Sequence, residues 1–156
     1  MIHNIVLGGG CFWGMEDLFR ARPGVTNTEV GYAGGQNENP TYDNHPGHAE
    51  ALRVEYDDTK TSLDAILDYF FTIHDPTTLN RQGNDIGTSY RSVLFFTNDT
   101  EEQAAKNAIQ RAGKDWKKPI ITTIEHLAQF YSAEEYHQDY LQKNPGGYTC
   151  HYERSF

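Results

Sequence analysis

The chain has little cysteine and little positive charge, and it lacks any long apolar run. Cys11 and Cys150 are the only thiols. Two cysteines cannot build a disulfide scaffold or a Cys-rich zinc site. Thirteen Lys and Arg face 22 Asp and Glu, for a net charge of -9. That balance argues against binding a phosphate backbone, and no basic cluster is denser than Lys117-Lys118. No stretch approaches a membrane span. The N-terminus has no basic segment and its apolar run is too short for a signal peptide, so a reducing cytoplasm is the expected compartment. Neither a nucleic acid nor a membrane is an expected partner. Internal repeats and low-complexity tracts are also missing.

What remains is a globular composition, 37% hydrophobic and 13% aromatic, over 156 residues. That length predicts a single domain, 1–156, able to bury a core without staples. The pattern predicts strand 2–8, helix 12–21, a Pro23-Gly24 turn, strand 25–32 and a long loop over 33–48. Strand 50–56, helix 62–74 and a polar loop over 75–89 follow. Strand 90–97 leads to helix 100–113, opened by Thr100-x-x-Gln103 as a capping box. Then come strand 119–126 and helix 133–143, opened by Ser132-x-x-Glu135 and stopped by Asn144-Pro145-Gly146-Gly147. Residues 144–156 form a tail carrying Cys150. The loose alternation favours an α+β two-layer sandwich, with helices packed on a mixed or antiparallel sheet.

Cys11 is the most informative residue. It follows Gly8-Gly9-Gly10 and precedes Phe12-Trp13-Gly14. Ile5-Val6-Leu7 reads as the end of a buried strand. Phe12, Met15, Leu18 and Phe19 fall at helical spacing. The thiol is thereby placed at a helix N-terminus, where unpaired N–H groups and the macrodipole favour an anion. A thiol there is expected to titrate below its free value of about 8.5 and to act as a nucleophile. A lone cysteine is otherwise a small buried apolar residue; the glycines, the strand-to-helix switch and the flanking aromatics favour the nucleophile.

Glu50 opens a strand in which it shares a face with Leu52, Val54 and Tyr56. Two placements are open. At the strand's first residue it points to solvent; on the core-facing side it is desolvated, its pKa rises, and it serves as a general acid. Tyr42, in Asn39-Pro40-Thr41-Tyr42, and Tyr90, in Gly87-Thr88-Ser89-Tyr90, are candidate hydroxyl donors. Asp85 is a candidate supporting carboxylate. Three other patterns fail. Trp13 stands where a dinucleotide-binding loop needs its third glycine. His45-x-x-His48-x-Glu50 has no evident fourth ligand for a metal. His126, His137 and His151 lack the spacing of a cysteine-protease triad.

Together these segments closely resemble the peptide-methionine (S)-S-oxide reductases, the methionine sulfoxide reductase A family. The resemblance rests on Gly10-Cys11-Phe12-Trp13-Gly14, Gly31-Tyr32-x-Gly34-Gly35, Asn39-Pro40-Thr41-Tyr42 and Gly47-His48-Ala49-Glu50. It continues through His74-Asp75-Pro76-Thr77, Gln82-Gly83-Asn84-Asp85, Tyr90-Arg91-Ser92, Glu134 to Leu141, and Lys143-Asn144-Pro145-x-Gly147-Tyr148. It implies a ferredoxin-like fold. It implies that Cys11 is the nucleophile and that Phe12 and Trp13 receive the substrate methyl. Glu50 would donate the proton, Tyr42 and Tyr90 would bind the sulfoxide oxygen, and Asp85 would support that network. Cys150 would resolve the Cys11 sulfenic acid as a disulfide, reduced in turn by thioredoxin. No metal or organic cofactor is implied. Many members place the resolving cysteine directly after the tyrosine of the Gly-Tyr pair, whereas here Thr149 intervenes. The alternatives are a cysteine-nucleophile hydrolase or acyltransferase, which needs a histidine base, and a sulfoxide- or peptide-binding module. Neither needs a second thiol.

Overall fold

The computed structural model describes all 156 residues. Strand β1 (Ile2–Gly9) enters helix α1 (Phe12–Arg20), followed by β2 (Val25–Ala33) and β3 (Ala49–Asp57). Helix α2 (Leu63–Ile73) is capped by Ser62, whose hydroxyl accepts from the Ala65 amide at 3.1 Å. The polar loop after it holds a two-residue hairpin, β4 (Arg81–Gln82) and β5 (Asp85–Ile86), and a 3-10 turn over Thr88–Tyr90. Strand β6 (Ser92–Phe96), helix α3 (Asp99–Ala112), β7 (Thr123–His126) and β8 (Phe130–Ser132) complete the main elements. A 3-10 turn over Glu135–His137 and the short helix α4 (Tyr140–Lys143) precede the tail.

Six strands form one mixed sheet in the order β7-β6-β1-β3-β2-β8. Only the β6–β7 pair is parallel. Side-chain alternation sorts the sheet residues into two clusters. Ile5, Leu7, Val30, Tyr32, Leu52, Val54 and Tyr56 join the apolar stripes of α1 and α2 and the alanines of α3 in a core of 21 residues. Val6, Ala33, Ala49, Ala51, Val93 and Phe95 cover the opposite face. The fold is therefore α+β, with its helices on one side of a mixed sheet. No helix is long and apolar enough to cross a membrane.

Three expected elements are different in the structure. Strand 119–126 begins only at Thr123, because the residues before it bond elsewhere. The Ile121 amide donates to the Pro76 carbonyl at 2.9 Å, and the Thr122 and Ser92 hydroxyls meet at 2.7 Å. Helix α3 is capped by Asn98, not Thr100. Asn98 Oδ1 accepts from the Glu101 amide at 2.9 Å, and Glu101 Oε1 accepts from the Thr97 amide at 2.8 Å.

The third difference is the largest. No continuous helix runs over 133–143. Ser132 ends a strand, and its hydroxyl bonds Glu29 rather than capping a helix. Gln138 then presents its side-chain amide to the backbone of Val30, accepting from its N–H at 3.0 Å and donating to its carbonyl at 2.9 Å. The side chain thus extends the sheet edge as a strand residue would. Asp139 takes a left-handed backbone, φ +54°, and donates its amide to buried Glu16 at 2.7 Å. Those tertiary bonds outweigh the helical pattern.

Candidate active site

Gly10 makes the turn that delivers Cys11. Its φ is +99°, and a Cβ there would stand 2.6 Å from Gln82 Cγ. Cys11 is the N-cap of α1, as the helix spacing predicts, and it is also buried. Its thiol does not titrate low. Burial pushes it up, and the charge of Glu50 pushes it further, against the one opposing bond from the Trp13 amide. The expected depression is overturned because helix amides on one side do not replace the water lost on all the others.

Glu50 takes the core-facing placement. It is 2% exposed, on the helix side of β3, with Leu52, Val54 and Tyr56. Its Oε1 accepts from the Phe12 amide at 3.2 Å. That bond favours the carboxylate, but burial outweighs it and the charge of Asp85 adds to burial, so the carboxyl is pushed up to about 8. Glu50 is therefore protonated at neutral pH. A neutral Glu50 also lifts its own repulsion from a Cys11 thiolate.

Aromatic side chains wall the start of α1. Phe12 is buried against Tyr32, with centroids 5.8 Å apart, and His137, 5.1 Å apart. The Trp13 ring lies 3.7 Å from that of Tyr140, and its Nε1–H donates to His137 Nδ1 at 3.0 Å. His137 is buried and its pKa is lowered by that burial, so it is a neutral acceptor here. The Tyr42 ring packs tilted against that of His137, 4.7 Å between centroids. Tyr90 lies close enough to Tyr42 for each phenol to act on the other's titration. Burial raises both phenols, and the charges of Glu50, Cys11 and Asp85 raise them further. Both hydroxyls remain protonated donors.

The tail is folded back over this corner. Thr149 and His151 pack against Gly14, where a Cβ would stand 2.3 Å from Thr149 Oγ1 and 2.5 Å from His151 Nδ1. His151 is buried, neutral with a pKa lowered to about 4, and its Nε2–H donates to the Gly9 carbonyl at 2.7 Å. Beyond it, the Arg154 amide donates to the Thr72 carbonyl at 3.1 Å, and the Tyr69 hydroxyl donates to Glu153 at 2.8 Å. Cys150 is thus pinned on its C-terminal side, rather than carried on a freely swinging arm. Its Sγ stands 3.9 Å from the Gln82 carbonyl, 4.0 Å from Asp85 Oδ2 and 4.0 Å from His151 Nδ1. Burial and the Asp85 charge push this thiol up. Both cysteines are free thiols.

All eight candidate residues fall within this one region. Cys11, Glu50, Tyr42, Asp85 and Tyr90 lie close enough for their charges to act on one another. Asp85 stands toward the tail, accepting from the Tyr148 hydroxyl at 3.4 Å. No hydrogen bond joins Cys11 to a histidine, which leaves a hydrolase without its base. His45 and His48 commit their ring nitrogens to the loop itself. The four ring-nitrogen contacts are to Thr41 and Ser89 for His45, and to Gly35 and Asn37 for His48.

The sequence pattern gave no role to His137, Glu134, His151 or Gln82. His137, Glu134 and His151 act through bonds to residues distant in the chain, on Trp13, Tyr32 and Gly9. Gln82 holds the backbone amide and carbonyl of Asp75, seven positions earlier. Their only signal lay in the motif segments that contain them.

The family model described as peptide methionine sulfoxide reductase matches residues 3–156. The chain belongs to this family. It is 53% identical over 151 residues to peptide methionine sulfoxide reductase MsrA of Mycolicibacterium vanbaalenii, covering 96% of this chain and 89% of that one. In structure it resembles Mxr1 from Saccharomyces cerevisiae in its reduced form, with a TM-score of 0.93 and 39% identity, covering 99% of this chain and 93% of that one. It also resembles Mxr1 in complex with Trx2, with a TM-score of 0.71 and 31% identity over 99% of this chain and 91% of that one.

Proposed function

We propose that Cys11, Glu50 and Cys150 carry out the reduction of methionine sulfoxide in this chain, on the S epimer, free or within proteins. The chain is a thiol-dependent methionine sulfoxide reductase recycled by thioredoxin. The observation that carries the residue assignment is a carboxyl held neutral at the N-terminus of the helix that bears a thiol.

A sulfoxide oxygen leaves sulfur only as it gains a proton. Glu50, protonated up to about pH 8, supplies that proton. The Cys11 thiol is the nucleophile. Its sulfur is oxidised to the sulfenic acid, taking the oxygen, while the substrate sulfur is reduced to the thioether; the thiol proton replaces the one Glu50 gave. Phe12 and Trp13 receive the methyl group, as apolar, polarisable surface suits it. Tyr42 and Tyr90 donate to the oxygen, and Asp85 supports them. Methyl, oxygen and backside of sulfur are then each assigned, which leaves the fourth substituent one direction and the enzyme one epimer. Cys150 next condenses with the sulfenic acid. The Cys11–Cys150 bond forms, water leaves, and dithiol exchange with thioredoxin restores both thiols. The complex of Mxr1 with Trx2 supports that partner.

The finer architecture follows the same proposal. In β1-α1-β2-β3-α2-β6 the four strands lie in the order β6-β1-β3-β2, which supports a ferredoxin-like two-layer sandwich. Residues 1–156 form a single catalytic domain, and 144–156 are its tail with the resolving cysteine. A chain with only two cysteines, too few for a disulfide scaffold, supports a reducing cytoplasm as the compartment. Chiral chromatography of racemic substrate tests the epimer assignment, and intact-mass analysis after substrate alone tests the thiol roles.

A further inference from the structure

His45 and Glu134 have no part in the reduction as assigned so far, yet both reach the same peptide group. The Thr41 carbonyl accepts from His45 Nδ1 at 2.8 Å. The amide at the other side of that peptide, on Tyr42, donates to Glu134 Oε2 at 3.0 Å. A carbonyl can only accept, so His45 carries its proton on Nδ1. Both ends of the Thr41–Tyr42 peptide are therefore held, by side chains 89 positions apart.

The holders are themselves fixed. Glu134 Oε1 accepts from the Tyr32 hydroxyl at 2.8 Å, and Tyr32 is fully buried in β2. The His45 ring stacks on the Tyr32 ring, 4.9 Å between centroids. Its Nε2 lies 2.8 Å from Ser89 Oγ, in the residue before Tyr90. One imidazole thus ties the loop bearing Tyr42 to the turn bearing Tyr90.

Packing alone does not hold Tyr42. The residue is 37% exposed, in a long loop with a left-handed backbone at Asn39, φ +51°. A small rotation of its peptide plane is magnified at the hydroxyl, the far end of the side chain. We propose that His45 and Glu134 are positioning residues that clamp the Thr41–Tyr42 peptide and so hold the Tyr42 hydroxyl against that of Tyr90. The proposal rests on the reductase assignment above, in which these hydroxyls bind the sulfoxide oxygen.

The test is a double-mutant cycle on the first half-reaction. Rapid-quench measurement gives the rate of Cys11 sulfenic acid formation at saturating methionine sulfoxide. The proteins are wild type, E134A, H45A, Y42F and each clamp variant combined with Y42F. E134A and H45A each slow the step by about tenfold or more, the scale of a misplaced catalytic group. In the Y42F background the same substitutions change the rate less than about twofold, because the group they position is gone. E134Q retains most of the rate: its amide oxygen still accepts from the Tyr42 N–H while its NH2 donates to the Tyr32 hydroxyl. E134Q and H45A keep the test decisive if E134A unfolds.

Equal fold-losses with and without Y42F would overturn the clamp, as would wild-type rates in E134A and H45A or an E134Q as slow as a clamp-free protein. With an active wild type, those outcomes remove the clamp alone. A wild type that forms no sulfenic acid removes the reductase assignment, and the clamp's catalytic role falls with it.

Discussion

Glu50 accepts a hydrogen bond from the amide of Phe12, the residue directly after Cys11, at 3.2 Å. The carboxyl therefore docks on the helix that carries the Cys11 thiol. The bond positions the carboxyl without ionising it, because burial outweighs a single amide and holds the pKa near 8. Carboxyl and sulfur are set by one joint between β3 and α1.

Replacing Glu50 with Gln should slow sulfenic acid formation by about 10²-fold or more, the usual scale of general-acid catalysis. The wild-type rate should also fall as pH rises through about 8, where Glu50 loses its proton. Rapid-quench rates across pH check both. A flat profile would show that another group protonates the oxygen.

The same carboxyl carries a stability cost. Its pKa rises from about 4.5 unfolded to about 8 folded. Between those values the folded state binds more protons than the unfolded one, so Glu50 lowers stability progressively as pH rises through that window. Above it the full cost remains. Glu50→Gln should raise the melting temperature at pH 8.5, with a gain on the order of a few kcal/mol that vanishes below about pH 4.5. Thermal unfolding monitored by circular dichroism at the two pH values is sufficient, and an equal shift at both would deny that the ionised carboxyl is the cause.

Cys150→Ser should keep one turnover per enzyme and lose thioredoxin-dependent recycling. Cys11 would persist as a sulfenic acid, still reducible by dithiothreitol. Sustained thioredoxin-supported turnover in this variant would mean that the reductant attacks Cys11 directly.

Gly14→Ala should affect the same half of the cycle. Its added methyl meets Thr149 Oγ1 at 2.3 Å and His151 Nδ1 at 2.5 Å, the contacts that seat the tail beside α1. Disulfide formation should slow several-fold or more, as expected when a reacting group is displaced. The first sulfenic acid should still form. Separate quench-flow rates for the two steps distinguish this from general damage, which would slow both.

Much of this site was legible in local pattern. The strand-to-helix switch placed Cys11, and the two-residue alternation of β3 gave Glu50 its core-facing option, which burial then selected. The titration of Cys11 was not legible, since it depends on water removed by residues from across the chain. The segment 133–143 shows the same limit in the fold. Its helical spacing is real, yet Gln138 finds the edge of β2 and Asp139 finds Glu16, and no local window contains those partners. His45 and Glu134 likewise bond across loops, to Ser89 and to the Tyr42 amide, partners that no local window contains.

The central claim is that Cys11 takes the sulfoxide oxygen and Cys150 resolves it. Intact-mass analysis after methionine sulfoxide is added without reductant, followed by peptide mapping, tests it most directly. The account predicts loss of two hydrogens from the protein, one equivalent of methionine for each disulfide formed, and a Cys11–Cys150 linked peptide. An unchanged mass with both thiols still open to alkylation would contradict it.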